Sequence, residues 1–193
     1  MLQPPRPTVS ESARRGFTFV ELAVGMTILL VSLLIFSSSV TGVAKQRAAN
    51  RETALAVAAA RNMLETLRAE DFAEVYARYN ANPADDPGGA GTAPGNRFVV
   101  EGLDDAPDTV GGFDGEIVFP SVEDAVAGWQ LREDVELRAL GLPRDISGDN
   151  VVDDQDHSAS YFILPVQVRV RWSGSSGTRQ YEMATQLCGF NKA

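Results

Sequence analysis

Residues 145–156 read DISGDNVVDDQD and set oxygen-bearing side chains at Asp145, Ser147, Asp149, Asp153 and Asp156. These are positions 1, 3, 5, 9 and 12 of a twelve-residue calcium loop, with the Val151 carbonyl serving position 7. Ca2+ takes six to eight oxygen ligands, and carboxylates at alternate positions of a tight turn supply them. Asn150 stands where such loops usually carry Gly, and Asn tolerates positive φ. Asp156 replaces the usual Glu at the last position, and the flanks are not two helices, so the expected role is structural rather than sensory. The competing reading is a solvated acidic turn between strands. A second acidic group, Asp104, Asp105 and Asp108, lacks ligand spacing and reads as a solvated loop. Glu21 is the only charge between Phe17 and Val40, and an ionisable group in an apolar span is costly enough to mark a function. The single cysteine, Cys188, cannot form an internal disulfide and reads as a small buried hydrophobe. The single histidine, His157, has no Ser or Cys partner in a recognisable motif and reads as a loop residue. No nucleophile elbow, His pair or phosphate loop is present, so no enzymatic activity is expected.

Other elements must position these residues. From Phe17 the chain runs FTFVELAVGMTILLVSLLIFSSSV. About 24 residues at 1.5 Å rise reach roughly 36 Å, enough to cross a bilayer core. Arg14 and Arg15 immediately before it orient the N-terminus toward the cytoplasm, leaving the rest of the chain outside. The run is too long for a secretory signal peptide, and no small-residue cleavage site follows it at the right place. From Thr41 to about Ala69 the pattern stays helical but turns amphipathic, with Val57, Ala60, Leu64 and Leu67 making one apolar stripe. No Pro or Gly falls between Val43 and Asn80, so the spacing predicts a helix of about 50 residues, roughly 75–80 Å. Asp71 can cap a last turn through Phe72, Val75 and Tyr76.

Residues 80–96 form a Pro/Gly/Asp loop. Strands are expected at Arg97–Val100, Glu116–Phe119, Trp129–Arg138, Tyr161–Trp172 and Arg179–Leu187. Val166, Val168, Val170 and Trp172 alternate with polar residues, the pattern of a half-buried strand. Asp134, Glu136 and Arg138 alternate with Val135 and Leu137 in the same way. Pro165 suggests a late start or an edge position. Gly174–Gly177 predicts a hairpin turn. The fold class is therefore α+β: a long N-terminal helix, membrane-spanning in its first half, packed on a small C-terminal antiparallel sheet. The segments are a leader over 1–16, a transmembrane half over 17–40, an amphipathic half over 41–79 and an acidic β domain over 80–193.

The chain has 193 residues and a formal net charge of −9. Residues 1–16 hold three Arg and one Glu, so the remainder carries −11. Phosphate neutralisation needs clustered Lys and Arg, so this charge argues against a general nucleic-acid binder, and no nucleic-acid partner is expected.

The segment Arg14-Arg15-Gly16-Phe17-Thr18-Phe19-Val20-Glu21 resembles the processing site of type IV prepilins and type II secretion pseudopilins. In that family a basic leader ends in Gly, Phe follows, and Glu stands at the fifth mature position. Gly16, Phe17 and Glu21 match in order, with an apolar run directly behind. The resemblance implies that a prepilin peptidase cuts between Gly16 and Phe17 on the cytoplasmic side and methylates the new amine. Gly16 leaves the backbone open to that enzyme. The resemblance also implies assembly with other pilin or pseudopilin subunits. Glu21 would meet the Phe17 amine of a neighbour in the dry core of a filament. The location implied is the bacterial inner membrane, single-pass, with a periplasmic or extracellular C-terminal domain, and a filament after assembly. RETALAVAAARNMLETLR, residues 51–68, looks like the helix of minor pilins and minor pseudopilins. Two departures favour a minor subunit: Ser38 stands where many major pilins carry Pro, and Cys188 lacks the partner that closes their C-terminal loop. Other readings are a pilus-tip adhesin or DNA-uptake subunit, and a membrane-anchored periplasmic calcium-binding domain.

Overall fold

The computed structural model describes residues 16, 18–107, 112–124, 128–174 and 177–189. The leader residues 1–15, Phe17 and Asp108 lie outside the described residues, as do the two residues between Gly174 and Gly177. The chain divides into two compact units, residues 1–45 and 46–193. Helix α1, Phe19–Ala69, contributes to both.

In the first unit α1 is apolar on every side. Its large side chains are exposed from Phe19 (86%) through Leu30, Phe36 and Val43. The hydroxyls in this stretch are satisfied internally. Thr27 donates to the Ala23 carbonyl (2.8 Å), Ser32 to Ile28 (2.8 Å), and Ser38 and Ser39 to Ile35 (2.8 and 2.9 Å). Such bonds to carbonyls three or four residues back spare these hydroxyls the need for water, as a lipid-facing helix requires.

The second unit is built on one face of the later α1. Ala49, Ala56, Ala60, Leu64 and Leu67 are buried, at the spacing of a helical stripe. The stripe shares one core with Val166, Val168 and Val170. Trp172 donates from Nε1 to Glu52 Oε2 on α1 at 3.2 Å. Asp71 ends the run of α1 and starts α2, Phe72–Tyr79, its side chain accepting from the Ala73 amide. The Tyr161 hydroxyl then donates to the Phe72 carbonyl at 2.6 Å. Burial pushes the Tyr76 phenol up to about 12.

The main sheet is antiparallel in the order β1-β2-β5-β6. Its strands are β1 (Arg97–Phe98), β2 (Gly115–Val118), β5 (Ile163–Gly174) and β6 (Gly177–Cys188). A separate hairpin pairs β3 (Ser121–Asp124) with β4 (Gly128–Leu131). Strand β5 turns Val166, Val168, Val170 and Trp172 into the core. On the other face Arg169 lies between Glu182 (2.9 Å) on β6 and Glu116 (3.2 Å) on β2. β5 is an inner strand, yet it tolerates Pro165. β2 pairs only with residues 167–170 of it, so Pro165 lies beyond the end of that ladder.

Three expectations need correction. The strand expected over Trp129–Arg138 ends at Leu131. Beyond it the alternating charges of 134–138 have no partner strand, and Arg138–Leu140 is a 3-10 turn. The polar β3 was not foreseen, because SVED carries no alternating apolar signal. Cys188 is exposed rather than buried. It closes β6 on the face opposite the buried Leu187.

Gly115 sits opposite Phe98 in the β1–β2 register. A Cβ there would overlap the Phe98 ring. Gly115→Ala should therefore destabilise the second unit by about 1–3 kcal/mol through overpacking, read from denaturant unfolding. Gly89→Ala, where nothing stands within 4 Å, tests backbone strain at positive φ alone.

Candidate functional site: the N-terminal junction and an acidic cluster

At the junction, Thr18 caps α1. Its Oγ1 accepts from the Glu21 amide at 3.3 Å, and its carbonyl accepts from the Leu22 amide at 3.1 Å. Thr18-x-x-Glu21 has the spacing of a capping box, and the Glu21 carboxylate in the first turn complements the positive helix end. Glu21 is exposed, and its carboxylate has no partner among the described residues. A Cβ on Gly16 would meet nothing within 4 Å. The fold of this chain does not demand glycine there. Phe17, the other residue expected at the junction, lies outside the described residues.

The acidic loop follows β4 in space and leads into β5. Asn150 adopts φ +69 at the position where calcium loops need it. Asp145 gathers the turn: Oδ1 accepts from the Gly148 amide (2.5 Å) and the Ser147 hydroxyl (3.2 Å), and Oδ2 from the Asn150 amide (2.8 Å). These donors, the Gly148 amide first, hold its carboxyl below the usual carboxylate range. Asp149 accepts from the Val151 amide at 2.8 Å. Asp153 accepts from the Gln155 amide at 3.0 Å, and that bond with the contact to His157 lowers its carboxyl too.

The residues expected as one ligand set are divided between different neighbours. Asp145 and Asp149 converge with Glu133, one carboxylate oxygen of each lying within 4.8 Å of the others. Asp153 converges instead with Glu133 and His157 under the same limit. Asp156 faces elsewhere: it accepts from the Leu131 and Ser158 amides, both at 3.0 Å, and pins the end of β4. Ser147 Oγ is engaged with Asp145, and the Val151 side chain is exposed.

Glu133 and His157 were not read from sequence as site residues. Glu133 is fully buried, and its Oε1 accepts from the Ile146 and Ser147 amides, both at 2.8 Å. It lies twelve residues before Asp145 inside a segment that reads as a strand, so loop spacing could not signal it. His157 lies in a loop, as expected, but is only 7% exposed, and its Nε2 lies 3.0 Å from Asp153 Oδ1. Its i,i+4 spacing from Asp153 was the available signal.

Residues 12–43 match the family described as the prokaryotic N-terminal methylation motif. The chain carries this motif, which is characteristic of type IV pilins and pseudopilins. No curated protein and no solved structure matches the chain.

Replacing Glu133 with Ala orphans the Ile146 and Ser147 amides, at about 1–3 kcal/mol for a buried donor. Glu133→Gln keeps an oxygen acceptor and should cost much less. Denaturant unfolding of both variants in chelator compares them directly.

Proposed function

We propose that the chain is a minor structural subunit of a type IV pilus-like filament or type II secretion pseudopilus. The observation that supports this best is the methylation motif over 12–43, whose residues from Phe19 on lie on a helix with its apolar side chains exposed as far as Val43. That surface needs lipid first and neighbouring helices later. A free helix with this much apolar surface is not a finished state in water.

In this reading a prepilin peptidase cuts after Gly16 and methylates the Phe17 amine. Glycine at Gly16 has no local steric reason, which fits a requirement imposed by the enzyme rather than the fold. The precursor sits in the inner membrane with the second unit on the outer side. On assembly the helices leave lipid for one another, and the Glu21 carboxylate meets a neighbour's Phe17 amine. Each charge is costly alone in an apolar medium, and the pair is satisfied in only one register.

The loop 145–156 adds a second element. In the same reading Asp145 and Asp149, with Glu133, hold Ca2+ through oxygen ligands. The Asn150 backbone already has the form such a loop needs. The cation would offset acidic charge and hold the loop against β4, a structural role.

Mass spectrometry of the membrane-derived protein should show an N-terminus at methylated Phe17. An intact leader in wild-type cells would contradict the proposal. Glu21→Gln should leave cleavage intact and reduce recovery in sheared filaments. A buried pair broken at one end costs about 3–5 kcal/mol, so recovery should fall by more than about a hundredfold. Calcium should raise the unfolding midpoint of the second unit, by about 2.7 kcal/mol at a hundred times its Kd. No heat on calcium titration and no response to chelator would remove the calcium element alone.

A further inference from the structure

Glu133 is fully buried, and like the buried Asp114 it has a second oxygen with no hydrogen bond. Its Oε1 is committed to the loop amides of Ile146 and Ser147. Oε2 sits out of water and accepts from nothing. Its ion-pair contact is His157 Nε2 at 3.8 Å, beyond hydrogen-bond reach. A bare carboxylate oxygen in the interior is a costly arrangement that a cation relieves.

The donors around it point to the class of cation. His157 Nε2 lies 3.0 Å from Asp153 Oδ1, and the donor atoms of Glu133, Asp153 and His157 all fall within 4.8 Å of one another. An ion bound at about 2.0–2.1 Å by two such ligands holds them roughly 3.0–3.5 Å apart. The 3.0 and 3.8 Å separations bracket that spacing, so the side chains need move only slightly. Calcium and magnesium select oxygen, whereas an imidazole nitrogen with carboxylates suits zinc and its neighbours.

Burial and access agree with this. His157 and Glu133 supply buried ligands, while the Asp153 side chain is 27% exposed and opens a way in from solvent. The three come from two segments: Glu133 follows β4, and Asp153 and His157 belong to the turn before β5. The His157 amide also donates to the Leu131 carbonyl at 2.8 Å, which places the ring against the end of β4.

We propose that Glu133, Asp153 and His157 form a structural site for a divalent first-row transition metal, with zinc as its representative. The ion cross-links the end of β4 to the turn that enters β5. This site shares Glu133 with the calcium element above but is distinguished from it by its other ligands, Asp153 and the only histidine in the chain.

The experiment uses untagged full-length protein in detergent, metal-stripped, with Cys188→Ser in every variant so that the thiol cannot contribute. Zinc is titrated against a chromophoric chelator. The expected result is one zinc per chain with Kd below about 1 μM. His157→Gln and Glu133→Gln should each weaken it by more than about a hundredfold. Asp149→Asn, on the oxygen-only side of Glu133, should leave zinc binding within about threefold, well under the effect of losing a ligand. Cobalt added to the His157-containing protein gives a readout that needs no folding variant: visible ligand-field bands displaced by zinc and not by millimolar calcium. Absence of zinc binding, zinc binding unchanged in His157→Gln, or full displacement by calcium would each overturn the assignment.

Discussion

The structure depends on one constraint: α1 meets two different environments with one backbone. From Phe19 to Val43 its side chains are apolar and exposed in every direction, and its hydroxyls bond back to its own carbonyls. From Ala49 onward only a stripe is buried, and Ala56, Ala60, Leu64 and Leu67 lie in one core with β5. In lipid a helix must satisfy its polar groups alone, whereas in water it gains stability from one packed face. The same backbone hydrogen bonding serves both. The side chains alone tell one environment from the other, which explains why a single helical element carries two compositions.

That division also sets what could be read from the sequence. The helix, its span and the cap at Asp71 were legible because they rest on periodicity and local capping, both short-range signals. So was β5, whose Val166, Val168, Val170 and Trp172 alternate cleanly into the core. The segment after Leu131 was misread because its alternation is real but has no strand to pair with. Local pattern specifies which faces a strand would have, and only a partner makes it a strand. β3 was missed for the converse reason: its SVED has no apolar pattern, but β4 supplies the partner.

The candidate sites divide along the same line. The methylation motif over 12–43 was legible because its spacing is read along one continuous stretch of sequence. Asp145 and Asn150 were legible as parts of a turn, and Asn150 takes the positive φ foreseen for it. Glu133 was not, because its place in the cluster comes from the path of the chain after β4 and not from any spacing. Its effect is to divide the loop's acids, drawing Asp145 and Asp149 to one group and Asp153 with His157 to another.

Glu21 and Glu133 then pose the same physical problem in two settings. Glu21 stands among apolar side chains in the first turn of α1, with only its amide engaged, by Thr18. Glu133 is sealed in the core with one oxygen holding two loop amides and the other holding none. A single chain leaves both carboxylates short of positive charge. For Glu21 the helix dipole contributes a fraction of a charge, enough to favour an acid in the first turn but too little to neutralise it in an apolar medium. For Glu133 the His157 ring stands too far from Oε2 for a hydrogen bond, so even a protonated imidazole compensates it only through space. At Glu133 an apolar side chain would orphan the Ile146 and Ser147 amides, whereas an amide would keep an acceptor for them without a buried charge. In the proposals above a cation from outside the chain would answer each carboxylate, an amine at Glu21 and a metal ion at Glu133.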